Sequence, residues 1–289
     1  MKKFLALLLA LMMSLSLVAC GGNDAAEEEA PAEDTAGEDT AVEETPESDA
    51  AYIEGNGKVV VGITIYEPMN YYDEAGNLTG FDTEFALAVC DKLGLEAEFQ
   101  EINWDTKEIE LAGKTIDCIW NGMTITADRA ANMSISLPYV KNAQVIVVKA
   151  DSAYASTADL VDATLVAEMG SAGEAQIEGE DANADLAQAE YVGMNKPTDC
   201  LMEVKAGTAD AAVLDWTLAK SMVGEGTDFA DLKMIEGVEL ATEEYGIAFR
   251  QGSDFTAKVD DAIKALVADG TLPALAEKYG LALAPAIAG

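Results

Sequence analysis

No histidine occurs anywhere in this chain, and arginine occurs only twice, at Arg129 and Arg250. Without imidazole, His-based metal sites, Ser–His–Asp triads and imidazole acid–base chemistry are all excluded. Cysteine is scarce as well: Cys20, Cys90, Cys118 and Cys200 form no CxxC and no zinc-ligand spacing. Positive charge is short. Seventeen Lys and Arg face 53 Asp and Glu, a formal net charge of −36, so the surface repels nucleic acid and gains nothing from anionic lipid. The apolar run Phe4 to Val18 is too short for a comfortable membrane span.

That run follows Lys2 and Lys3 and ends in LVAC (17–20), the layout of an export signal over 1–19. Leu-Val-Ala-Cys resembles a bacterial lipobox, which implies that Cys20 is lipidated and holds the mature chain to the outer face of the cytoplasmic membrane. Residues 21–57 carry 13 acids and no Lys or Arg. Such a stretch buries too little apolar surface to offset its ordering entropy, so 20–57 reads as a lipidated cysteine followed by a disordered acidic tether. A flexible chain of that length reaches roughly 30–40 Å. The remainder, 58–289, has 15 basic and 40 acidic residues, a net −25.

Periodicity organises this remainder. Lys58 to Ile65 (KVVVGITI) predicts a buried strand. Phe81, Phe85, Val89 and Leu93 recur every four residues as one helical stripe, with Asp82 read as its cap and Gly94 at its end. Leu95, Ala97 and Phe99 alternate with polar residues as a strand does. A helix over Asp105 to Ala112 and a strand over Thr115 to Asn121 complete β-α-β-α-β, which implies a parallel sheet under helices. Strands at 143–149, 163–168, 191–194, 208–214 and 245–250, a helix between Pro197 and Gly207, and an amphipathic helix through Val259, Ile263 and Leu266 repeat the pattern. Cys90, Cys118 and Cys200 read as buried thiols, and a disulfide among them stays open.

Several stretches in order carry a resemblance: GFD (80–82), Trp104-Asp105, GMTIT-x-x-R (122–129), LPY (137–139), GSAGE (170–174), GTADAAVLD (207–215) and EYGIAF (244–249). Over essentially all of 58–280 the chain resembles the extracellular solute-binding proteins of amino-acid ABC transporters. The resemblance implies an α/β, two-lobed periplasmic-binding-protein-like fold of type II, each lobe a mainly parallel sheet flanked by helices. Lobe 1 would be 58–141 plus 241–289 and lobe 2 would be 142–240, joined by two crossing strands near 139–143 and 239–243. It also implies a non-enzymatic, monomeric receptor that captures an L-amino acid between closing lobes. That receptor delivers the ligand to an ABC permease and needs no cofactor.

Within the resemblance Arg129 is the clamp for the ligand carboxylate, since a guanidinium matches a planar carboxylate with two parallel hydrogen bonds. Asn121, Gly122 and Thr124 complete that end. Asp215, closing the strand AAVLD, takes the ammonium, although Asp there could also cap a helix. Ser171 and Ala172 lie where a helix start points backbone donors at the carboxylate. Tyr66 stacks over the ligand side chain, Trp104 flanks it, and Trp120 reads as core. Many relatives with cationic ligands carry Asp where this chain has Ile63, which leaves the side chain open between polar and cationic. Glu168 or Glu67 could replace the missing charge. Arg250, in FRQGS, reads as a surface residue. The competing class is an enzyme on the same fold, such as a cyclic-acid dehydratase, for which Glu168 is the one candidate acid.

Overall fold

The computed structural model describes residues 48–180 and 182–288. The expected signal segment, Cys20 and the tether through residue 47 lie outside the described residues. The rest of the expected tether is not disordered: Asp49–Asn56 is a helix, α1. Ser48 caps it, Ala50 and Ile53 are buried, and Gly57 ends it in the left-handed region at φ 70°. Composition taken over the whole acidic stretch hides these few anchoring residues. Asp49 then holds Arg250, which is not a surface residue. The Arg250 guanidinium pairs with Asp49 at 2.6 Å and Asp117 at 3.0 Å, and its side chain is only 11% exposed.

β1 (Lys58–Ile63) leads through a small hairpin, β2 (Tyr71–Tyr72) and β3 (Leu78–Thr79), into α2 (Phe81–Leu93). Phe81, Phe85 and Val89 of the predicted stripe are buried and Leu93 is half-buried, but the N-cap of α2 is Gly80 at φ 120°. A Cβ there would lie 2.2 Å from the Met69 carbonyl oxygen, so only glycine fits. Asp82 therefore sits inside the first turn, fully buried, and is no cap. β4 (Glu96–Glu101), a 3-10 turn at Trp104–Thr106, α3 (Lys107–Ala112), β5 (Cys118–Ile119), α4 (Ala127–Asn132) and β6 (Met133–Ile135) follow. The chain then enters β7 (Val140–Lys149), β8 (Thr164–Glu168), α5 (Ala172–Glu178), β9 (Glu190–Met194), α6 (Pro197–Ala206), β10 (Ala211–Asp215), α7 (Trp216–Met222) and β11 (Leu232–Tyr245). It closes with β12 (Ala248–Arg250), α8 (Phe255–Ala268) and α9 (Thr271–Tyr279).

The strands form two five-stranded sheets, ordered β4-β1-β5-β12-β6 and β11-β7-β10-β8-β9. In each, four of the five strands run the same way and one, β12 or β7, runs against them. In the first, β1 pairs in parallel with β4 and β5, while β12 pairs antiparallel with β5 and β6. In the second, β8 pairs in parallel with β9 and β10, while β7 pairs antiparallel with β10 and β11. The antiparallel half of each sheet comes from the strands on either side of the crossings. The two crossing segments bond to one another: Ser136 N–H donates to the Ile247 carbonyl and Tyr139 N–H to the Tyr245 carbonyl, both at 2.9 Å. Beyond them β7 and β11 run on together from Val140↔Tyr245 to Lys149↔Leu232.

An aromatic group fills the first lobe beneath the site. Trp120 meets Phe85 edge-on at 4.9 Å, Phe85 meets Tyr139 at 5.4 Å, and Tyr139 meets Tyr245 at 6.3 Å. Trp120 is core, as its strand position predicted. Cys90, Cys118 and Cys200 are buried free thiols, and burial pushes the Cys90 thiol up to about 12.

Candidate functional site

The parallel strands aim their carboxyl ends at one place. β1 runs out into Tyr66, β5 into Asn121–Thr124, β8 ends on Glu168 and β10 on Asp215. Crevices at such strand ends are where open α/β sheets hold ligands. All ten sequence-chosen residues line a single cavity here, with Pro197 as the eleventh. Its volume is about 20 Å³, room for one water, so a larger ligand needs the lobes to part. A groove of about 680 Å³ lies beside it and shares Arg129, Ser171 and Ala172.

Arg129 is buried in the first turn of α4, whose N-cap Thr126 accepts from the Arg129 N–H at 3.2 Å. Its guanidinium reaches the loops that follow β5 and β8, one from each sheet. Nη1 donates to the Thr124 carbonyl at 2.8 Å and Nη2 to the Gly170 carbonyl at 2.9 Å. Burial pulls its pKa down while Glu243, Glu108, Asp215 and Glu168 push it back up, and an arginine stays a cation under such opposition. Lys107, which sequence reasoning missed, donates to the Trp104 carbonyl at 3.0 Å and the same Gly170 carbonyl at 2.9 Å. Its ammonium lies 4.9 Å over the Trp104 ring. Burial lowers the Lys107 pKa to about 8, with the Arg129 charge acting in the same direction.

Gly122 adopts φ 58°, and a Cβ would lie 2.6 Å from Tyr66 Cε1. Its N–H is already taken: it donates to Asp82 Oδ2 at 2.7 Å, and the Tyr139 hydroxyl donates to the same oxygen at 2.9 Å. The buried Asp82 thus fixes the loop after β5 from below. Desolvation raises its pKa to about 7 against the donors of Gly122 and Tyr139. Asn121 also turns inward, donating to the Thr64 carbonyl and Asn70 Oδ1 and accepting from the Thr64 hydroxyl. These bonds make it a support of the loop. Tyr66 presents its ring to the cavity, and its hydroxyl is bonded to Thr217 at 2.5 Å and Tyr245 at 2.6 Å.

On the other side, Ser171 caps α5 by accepting from the Glu174 N–H at 3.1 Å, and Ala172 opens the helix. Glu168 is buried, and its Oε1 has no hydrogen-bond partner among the described residues. Burial, then the Asp215 charge, pushes its carboxyl up to about 8. Asp215 occupies the N-cap position of α7 without capping it. Its Oδ1 instead accepts from Asn142 at 2.5 Å, Tyr245 at 2.9 Å and Gln144 at 3.0 Å. Although Asp215 keeps some surface open to the cavity, the surrounding protein and then Glu243 push its carboxyl up to about 8. Glu243, on β11, was not legible in sequence. It stands in a pair of acids on a crossing strand and looks like any solvated residue. Here its Oε1 accepts from Asn142 at 2.5 Å, Gln144 at 2.8 Å and Thr124 Oγ1 at 2.9 Å.

The sequence pattern of the bacterial extracellular solute-binding proteins, family 3, matches residues 59–282. The chain belongs to that family. It is similar to the arginine-binding extracellular protein ArtP of Bacillus subtilis (strain 168), 28% identical over 96% of this chain and 98% of the relative. Among solved structures it is similar to the arginine-bound form of truncated ArgBP from T. maritima. That match has a TM-score of 0.67 at 33% identity and covers 74% of this chain and 99% of that one. A third, the ancestral amino acid-binding protein AncCDT-1, a precursor of cyclohexadienyl dehydratase, matches with a TM-score of 0.71. It is 29% identical over 80% of this chain and 99% of that one.

Proposed function

We propose that this chain is the extracytoplasmic receptor of an ABC importer and captures a free L-amino acid between its two lobes. The observation that carries this is one cavity drawn from both sheets, with the Arg129 guanidinium and the Asp215 carboxyl among its walls. When the lobes part, Arg129 Nη2 leaves the Gly170 carbonyl and can take the ligand carboxylate in a two-bond fork. The ligand ammonium goes to Asp215. Its side chain points toward Tyr66, Trp104 and Glu168. A partnerless Glu168 oxygen favours a polar or cationic side chain, because a buried carboxyl without a partner is costly.

In this reading 58–141 with 241–289 and 142–240 are the two lobes, and binding shifts the population toward the closed form. Residues 1–19 are removed on export, Cys20 carries the lipid, and a permease reads the closed monomer. Thermal unfolding of residues 45–289 against each common L-amino acid tests it. A ligand at about a hundred times its dissociation constant adds about 2.7 kcal/mol. Shifts confined to one chemical class support the receptor. No shift with any of them contradicts it, and turnover of a cyclic acid by Glu168 would point to the enzyme instead.

A further inference from the structure

On the reading that an α-amino acid binds with its ammonium toward Asp215, that ammonium meets more than one carboxyl group. Asp215 Oδ1 and Glu243 Oε1 are held by the same two amides. Asn142 Nδ2 is 2.5 Å from each, and Gln144 Nε2 is 3.0 Å from the first and 2.8 Å from the second. Two acid oxygens that share both donors are close neighbours. Two such carboxylates, hemmed in by protein, resist being ionised together unless a cation joins them. Around them, Thr124 from the loop after β5 donates to Glu243, and Tyr245 from β11 donates to Asp215. The hydroxyls of Tyr66 and Thr217 close the ring behind Tyr245. Arg129 faces the pair only through space, since its guanidinium bonds to the carbonyls of Thr124 and Gly170. Glu168 adds a like charge, partly countered by Lys107. Among the described residues, no Lys or Arg makes an ion pair with Asp215 or Glu243.

We infer that the Asp215 carboxyl, crowded by Glu243 at the same two amides, holds a proton that capture of the ligand ammonium expels. Glu243 is the positioning residue, acting through Asp215 and Thr124. The proton balance is simple. The ligand arrives as an ammonium ion and keeps its three protons, Asp215 loses one to solvent, and an ammonium–carboxylate contact replaces the proton. The raised Asp215 pKa, near 8, agrees with this arrangement. Neither Glu243 nor proton release follows from the binding role itself.

Isothermal titration calorimetry of residues 45–289 at pH 7 tests it, in phosphate, imidazole and Tris, whose ionisation enthalpies differ. L-glutamine is the first probe, because its neutral side chain brings no second cation to Glu168, with L-histidine and L-arginine where it gives no binding. The expected enthalpy tracks the buffer ionisation enthalpy with a slope approaching one proton released. The dissociation constant should fall about tenfold between pH 6 and pH 7. Glu243→Gln keeps a hydrogen-bonding side chain and should bind with the slope largely lost. Binding by the native chain with no buffer dependence and no pH dependence overturns the proposal. So does a slope retained in Glu243→Gln. Should Glu243→Gln not fold, the buffer and pH dependence of the native chain decide the matter. No binding of any probe overturns the amino-acid reading and this inference with it, whereas binding without proton release overturns this inference alone.

Discussion

Asp82 shows how a single buried carboxyl can govern a loop of the cavity wall from beneath. It accepts from the Gly122 N–H and the Tyr139 hydroxyl, and its second oxygen lies buried. Asp82, Glu168 and Asp215 all have raised folded-state pKa values, near 7, 8 and 8. Between pH 4 and those values the folded chain holds more protons than the unfolded one, so stability should fall as pH rises through that window. Urea unfolding at pH 5, 6, 7 and 8 should show a falling midpoint, and Asp82→Asn should flatten the part below pH 7. A midpoint that is level or rises over this range contradicts the assignment. Arg129 and Asp215 were legible because a rare arginine and a strand-ending acid stand in a recognisable frame. Asp82, Lys107 and Glu243 were not, because their partners lie 40, 63 and 119 residues away in sequence. No local pattern encodes such pairings.

At the level of elements, strands and helices showed in periodicity, and the misreadings have physical causes. The acidic segment before β1 looked disordered by composition, yet α1 is held by Ile53 in the core and by the Asp49–Arg250 pair. Arg250 in turn looked exposed because its two acid partners lie 133 and 201 residues away. A chain beginning at residue 58 should therefore be less stable than one beginning at residue 45. The expected loss is about 2–4 kcal/mol, from one buried isoleucine and a broken, partly buried ion pair. Denaturant midpoints of the two chains measure it, and equal midpoints would show that α1 contributes nothing. The parallel half of each sheet was readable from β-α-β spacing. The antiparallel half was not, since it follows from how the chain crosses between sheets.

For the whole molecule, the two crossings and the cavity place every candidate binding group on one or other side of a cleft. The Gly170 carbonyl is the meeting point, taking bonds from both Lys107 and Arg129 across it. Lys107→Met keeps the stem and removes one of these links, so the closed form should weaken. Affinity should drop about tenfold, in keeping with one hydrogen bond to a charged group. Calorimetry reads the affinity, and an unchanged value would mean that Lys107 takes no part in closure.

The central claim is that Arg129 holds the ligand carboxylate. It is tested most directly by titrating the native chain and Arg129→Ala with the bound amino acid and with its decarboxylated amine. In the native chain, losing the carboxylate should cost about a hundredfold or more in affinity. In Arg129→Ala the two ligands should bind almost alike, since the partner group is already gone. Equal penalties for decarboxylation in both chains would contradict the account.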